Sequence, residues 1–371
     1  MTVRTTRWAA AFWQCEFAAL PRARFLPDLM WPHDMATRTA RPVDRRTDPD
    51  GWRSAADANM PVVTQWDDGR HSGTAPGTEP TSSASMPSVV AAMLAAAELK
   101  PGHRVLEIGT GTGWTAALMA RRLGDQAVTS IEIDLDVAAA AKSALGAAGL
   151  HPRLLVGDGL AGHPDGAPYD RLISTMGLRD IPAAWLHQVR PGGLIVTPWG
   201  TRYSNGDVLT VLTVNDDGTA TGRFLQQLEF MKARSQRYAH PAFAPDLEPV
   251  ADSTCEVDPS LFERWHPFAF AAGLLLYGMT HAVQQHDSSD RTLWLFALDG
   301  SAWTAAVLPA DSTTATVRQV GDRRLWDELT AAHTWWRTAG EPDLDRLGIT
   351  ITATGWTAWL DTPGHPVRGQ A

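Results

Sequence analysis

VLEIGTGTGWTAALMA (105–120) passes from an apolar run through alternating glycines into an alanine-rich helical stretch. A strand that turns on glycines into a helix leaves backbone amides where a ligand can approach them closely. Outward from this segment the pattern alternates between the two periodicities. It predicts helices over 87–99, 114–123 and 136–148, and strands over 103–108, 128–133, 153–156, 169–175 and 193–198. The fold class is therefore α/β, a doubly wound parallel sheet.

The glycines are not those of a dinucleotide fingerprint. Counted from Gly109, the sixth position is Trp114 instead of glycine, and no P-loop lysine follows. Glu107 stands just before the loop, where it would repel a phosphate and favour a positive centre. Glu132 ends the next strand, placed to take both hydroxyls of a ribose, and Asp158 follows the third strand in GDG. Three acidic residues at three successive strand ends, beside Gly109, Thr110, Gly111 and Gly113, resemble the binding motif of class I methyltransferases. That resemblance implies S-adenosyl-L-methionine as cofactor, with Ile133, Gly159 and Thr175 completing its contacts.

Bulk properties agree with a small-molecule or peptide partner. The chain has 371 residues, 44% of them hydrophobic, a formal charge of −9 and no cluster of Lys or Arg, which argues against nucleic acid. Cys15 and Cys255 form neither a disulfide framework nor a zinc spacing, so no metal is expected and a reducing cytoplasm is. The arginine-bearing start is interrupted by Gln14, Cys15 and Glu16 before a signal-like apolar region develops, and the apolar run over 267–279 is too short to span a bilayer.

Four hydroxyls, Thr81, Ser82, Ser83 and Ser85, crowd ahead of Met86 and Pro87 in EPTSSASMPS (79–88). A helix start needs one cap, and Ser85 is placed to supply it. Together with LPRARFLP (20–27), VTSIEID (128–134), APYDRLIST (167–175) and VRPGGLIVTPWG (189–200), this stretch resembles the protein-L-isoaspartate O-methyltransferases over roughly the first 230 residues. In that family a Ser-x-Pro element lines the place where a substrate carboxylate meets the methyl group. The resemblance implies Ser85 as the catalytic position, with Thr81, Ser82, Ser83, Ser85 and Met86 as the substrate wall. Methyl transfer to an ionised carboxylate needs no general base. In keeping with this, His103, His151 and His163 form no pair with an aspartate near the loop, and no Gly-x-Ser-x-Gly elbow of a hydrolase is present.

Beyond the sheet the grammar changes. An Asp-Gly hairpin is predicted in GDVLTVLTVNDDGTATGRF (206–224), a second in LWLFALDGSAWTAAVL (293–308), a helix over 323–337 and a closing strand pair over 348–361. The expected divisions are an N-terminal helical, substrate-side segment over 1–86, a cofactor-binding core over 87–232, a linker over 233–262 and an additional C-terminal α+β domain over 263–371. This long form resembles methyltransferases of ATP-grasp (graspetide) peptide maturation. It implies an acidic, cross-linked ribosomal peptide as partner, with aspartate methylation leading to an aspartimide. Isoaspartyl repair is the alternative, and a cofactor-binding protein that has lost transfer is an alternative of another class.

Overall fold

The computed structural model describes residues 13–239 and 249–370, which fall into two compact units. The first holds the described residues up to Met176, with Pro182–Thr197 and Val211–Ala220. The second holds Gly177–Ile181, Pro198–Thr210 and the described residues from Thr221.

The first unit opens with α1 (Gln14–Ala19), β1 (Leu29–Asp34), α2 (Pro49–Asp57), β2 (Val62–Trp66) and β3 (Pro80–Ala84). Its described N-terminal part thus combines short helices with an antiparallel sheet, a correction to the helical segment expected over 1–86. Trp31 pairs with Val63 and Val63 with Ser83. Met30, Trp52, Val62 and Ala84 share one apolar cluster. The hydroxyl-rich residues extend because a partner strand takes up their backbone groups.

Next come α3 (Pro87–Ala96), β4 (Val105–Ile108), α4 (Trp114–Leu123), β5 (Val128–Glu132), α5 (Leu135–Ala147), β6 (Arg153–Val156), β7 (Tyr169–Ser174), α6 (Ala183–Gln188) and β8 (Val189–Trp199). The strands lie in the order β6-β5-β4-β7-β8, all parallel, with Val105 opposite Val128, Leu106 opposite Leu172 and Ile173 opposite Val196. This is the doubly wound sheet of the sequence reading. Its direction of winding reverses between β4 and β7, and ligands of such sheets bind at the carboxyl ends beside that reversal. All four residues of β4 are buried, as a strand covered on both faces requires. Each apolar one contributes about 1.5–3 kcal/mol; Glu107, among them, is the exception that needs explaining.

After β8 come β9 (Asp207–Val214) and β10 (Ala220–Leu228), and the turn between them bonds Asn215 N to Thr219 O at 2.8 Å. Then come β11 (Pro249–Glu256), α7 (Pro267–Leu275), β12 (Met279–Gln285), β13 (Arg291–Ala297), β14 (Ala302–Leu308), β15 (Thr314–Gly321), α8 (Leu325–Thr338), β16 (Leu347–Ile351), β17 (Trp356–Leu360) and β18 (Pro366–Gln370). Both predicted hairpins, the helix and the closing strand pair are present. The sheet β11-β15-β14-β13-β12 is antiparallel and carries α8 on the face where Leu293, Leu295, Ala306 and Val317 are fully buried. Trp336 of α8 is core, with its indole N–H on the Pro342 carbonyl at 3.2 Å, whereas Trp335 is half-buried.

The segment expected as a linker over 233–262 includes β11, paired with β15 by Asp252 opposite Arg318 and Glu256 opposite Thr314. Its partner lies far along the chain, so local composition concealed the strand. Residues 240–248 of the same segment lie outside the described residues. Among the described residues no helix is long and apolar enough to cross a membrane.

Candidate cofactor and acceptor site

At the carboxyl end of β4 the chain turns through Gly109, Gly111 and Gly113, with φ of +90°, +53° and +84°. Side chains are strained in this left-handed region, so the loop depends on glycine. Space matters as well. A Cβ on Gly109 would come within 2.7 Å of Thr175 Oγ1, and one on Gly113 within 3.3 Å of both Ala141 and Leu145. The loop is therefore clamped between the end of β7 and α5, with Thr175 N donating to Ile108 O at 2.9 Å and its hydroxyl donating to Gly109 O.

Glu107 is completely buried beneath this loop. Ser130 Oγ donates to its Oε2 at 2.5 Å and stands 2.6 Å from Thr110 Oγ1, so a hydroxyl relay links carboxyl and loop. Oε1 has no hydrogen-bond partner among the described residues. Burial pushes the carboxyl up to about 8, against the Ser130 hydrogen bond and with help from the nearby Glu132 charge. An orphaned oxygen of this kind is costly unless a cation or donor completes it.

Glu132 ends β5 and is 8% exposed. It receives Gly111 N on Oε2 at 2.9 Å and Asp134 N on Oε1 at 3.1 Å, which holds the carboxylate at the loop's edge. Asp134 caps α5 through Asp136 N and Val137 N, and its other oxygen accepts from Gln65 Nε2 at 3.1 Å. Asp158 is exposed after β6, with Oδ1 on Leu160 N at 2.9 Å, and Gly157 N donates to Glu132 O. Gly159 is required by packing, since a Cβ there would sit 2.3 Å from Ile108 Cγ2. Ile133, 48% exposed, and Val156, 55% exposed, give this edge an apolar surface, and Val156 pairs with Glu132 across the strands.

The four hydroxyls divide by strand alternation. Ser82, 6% exposed, faces inward and accepts from Thr64 Oγ1 at 3.2 Å. Thr81 is committed to Gln65 Oε1 at 2.8 Å and Asp68 N at 3.1 Å. Ser83 and Ser85 are half-buried, and their hydroxyls have no partner among the described residues. The carbonyl of Ser83 faces the glycine loop, 3.4 Å from where a Cβ of Gly111 would stand. Strand β3 and the glycine loop therefore lie against each other. Ser85 does not cap α3, which corrects the sequence expectation: the cap position is Met86, with Pro87 following and no side-chain cap bond.

Sequence reasoning overlooked Arg22. This buried guanidinium donates to five carbonyls, those of Ala55, Ala56, Ala58, Met60 and Ser85, at 2.7–3.1 Å. Desolvation lowers its pKa to about 10. The only signal was an arginine between two Leu-Pro pairs, which does not distinguish it from Arg24.

The residues present fit a cofactor with a cationic centre, a diol and a flat ring. Glu107 and the glycines would make the cradle for such a group, Glu132 would accept from the diol, and Ile133, Val156 and Asp158 would form the ring edge.

Comparison with known proteins agrees with this geometry. Residues 70–237, fewer than half of the chain, match the family model for Protein-L-isoaspartate(D-aspartate) O-methyltransferase (PCMT). The chain is 42% identical over 134 residues to a protein-L-isoaspartate O-methyltransferase of Pyrococcus horikoshii, covering 36% of this chain and 60% of that protein. It is 43% identical over 138 residues to one of Anaeromyxobacter dehalogenans, covering 36% and 64%. The chain thus spans under two thirds of these relatives. A solved structure described as a protein-L-isoaspartate O-methyltransferase superposes with a TM-score of 0.51 at 20% identity, covering 95% of this chain and 96% of that one. This establishes the class I methyltransferase fold.

Proposed function

We propose that this chain is an S-adenosyl-L-methionine-dependent carboxyl O-methyltransferase whose acceptor is the isoaspartyl side chain of a protein or peptide. The observation that carries the reading is Glu107, buried under three left-handed glycines with one carboxyl oxygen unpartnered. When bound, the cofactor supplies a methyl group that a carboxylate oxygen takes directly, its carbon–sulfur bond breaking to leave a neutral thioether. No proton moves in that step, which accords with a site lacking a histidine base.

Residues of this chain supply position and charge. Glu107 and the glycine amides hold the cationic, amino-acid end of the donor, and Glu132 fixes the ribose. The partner-free hydroxyls of Ser83 and Ser85 donate to the acceptor carboxylate, while Arg22 holds the Ser85 backbone in place. The matched family model and both relatives name isoaspartate, which favours that acceptor. The chain beyond the sheet had favoured a cross-linked ribosomal peptide. A solved protein described as an isoaspartyl enzyme matches over 95% of this chain, so length no longer separates the two acceptors.

The test incubates purified chain and donor with an isoaspartyl peptide, its aspartyl twin and a side-chain cross-linked acidic peptide, followed by mass spectrometry. Methyl gain on the isoaspartyl peptide alone is expected. Gain only on the cross-linked peptide would transfer the assignment to peptide maturation, and gain on none would leave a cofactor-binding protein.

A further inference from the structure

The second unit contains a cleft of about 390 Å³, a size suited to a side chain or small ligand. Its walls combine cations, Arg179, Arg202 and Arg323, with an apolar floor that includes Leu274, Leu276 and Leu298. The three guanidiniums differ in how they are neutralised. Arg323 is paired in two-pronged fashion with Glu328, at 3.1 and 2.6 Å. Arg202, 45% exposed, reaches only the half-exposed Asp180, through one nitrogen at 3.3 Å.

Arg179 is 4% exposed and has no carboxylate within ion-pair distance among the described residues. Its terminal nitrogens are occupied by the carbonyls of Thr201 and Ser204 and the amide oxygen of Asn205, its face stacks on Tyr238 at 4.3 Å, and its Nε has no partner among the described residues. A buried cation left without an anion is costly, and so is an unpaired buried N–H. Neither aspartate of the cleft lining stands within ion-pair distance of Arg179: Asp180 bonds Arg202 at 3.3 Å, and Asp299 accepts from the amide and hydroxyl of Ser301.

We infer that this cleft docks an acidic segment of a peptide, one carboxylate meeting Arg202 and the field of Arg179 while an adjacent apolar side chain lies on Leu274, Leu276 and Leu298. Tyr277, 58% exposed at the rim, packs on the segment. This deepens the proposed function in one respect, that the docked peptide is the methyl acceptor. Binding here is separable from transfer, because it requires neither donor nor isoaspartate.

The experiment measures fluorescence anisotropy of a labelled peptide of repeated Asp-Leu pairs, without isoaspartate, on the full chain. Its controls are an Asn-Leu twin and free succinate. The Asp-Leu peptide is expected to bind about tenfold more tightly than its twin and to weaken about tenfold in Arg202→Gln, with donor affinity unchanged. Tyr277→Ala, an exposed change that leaves the charges alone, is expected to weaken binding about threefold. Equal binding of the twin, or undiminished binding to both variants, would overturn the inference. So would displacement by succinate at the peptide's own concentration, which would make this a small-dicarboxylate site. If the wild type methylates none of the acceptors while Asp-Leu binding holds, the proposed reaction fails and the docking site stands.

Discussion

Arg22 Nη1 donates to the carbonyl oxygen of Ser85 at 3.1 Å, tying a buried guanidinium near the start of the described chain to the residue that precedes Met86 and helix α3. The same side chain satisfies four further carbonyls. Arg22→Met leaves them to find other donors and is expected to destabilise the protein by about 2–5 kcal/mol in urea titrations. At temperatures where the variant is folded, kcat for methyl transfer is expected to fall more than donor affinity, since the proposed function places Ser85 on the acceptor side.

Glu107 makes stability pH-dependent with a definite sign. Its folded pKa is raised by burial from 4.5 to about 8, so between those values the folded chain keeps a proton that the unfolded chain has released. Stability from this group is complete below about pH 4.5 and is lost as pH rises through 8, an effect of up to about 5 kcal/mol. Glu107→Gln removes the dependence. Urea midpoints at pH 5 and pH 8 are expected to differ less in the variant than in the wild type.

Under the proposed function the same carboxyl couples to the donor. A cation selects ionised Glu107, so donor affinity is expected to rise between pH 6 and 8.5 and to lose that rise in Glu107→Gln. Calorimetry in buffers of differing ionisation enthalpy should show proton release on binding to the wild type only.

Gly109 has both a positive φ and a neighbour in the way. Gly109→Ala brings a Cβ to 2.7 Å from Thr175 Oγ1 at φ +90°, which costs about 1–3 kcal/mol. Donor affinity measured by calorimetry is expected to drop at least about tenfold, because the loop shifts at the carboxyl end of β4.

Adjacent serines should behave oppositely. Ser82→Ala removes a buried bond with Thr64 and is expected to cost about 1 kcal/mol of stability with kcat unchanged. Ser83→Ala removes a hydroxyl that has no hydrogen-bond partner among the described residues. It is expected to leave the urea midpoint alone and raise KM or lower kcat for the peptide. Equal effects from both substitutions would remove the hydroxyl face from the acceptor site.

In the second unit Lys232 Nζ contacts both oxygens of fully buried Asp207, at 2.8 and 2.6 Å. Burial raises the Asp207 carboxyl and the lysine opposes that shift. Lys232→Met strands the carboxylate and is expected to cost about 3–5 kcal/mol, whereas the double change with Asp207→Leu recovers much of the loss.

The parallel sheet, the glycine loop, the acidic strand ends and both Asp-Gly hairpins were all legible in sequence, because each depends on local periodicity or on a residue type that only one backbone conformation suits. The tertiary structure alone decided the rest. Strand β3 became visible only with its pairing to β2, which sorted Ser82 inward and left Ser83 and Ser85 with unclaimed hydroxyls. Strand β11 needed Arg318, 66 residues away, to organise a segment that reads as a linker. The burial of Glu107 with one oxygen unpaired, and of Arg22 among five carbonyls, is likewise invisible in sequence. A residue's solvation is set by elements that the chain brings to it from a distance, and charge type alone does not encode where those elements will stand.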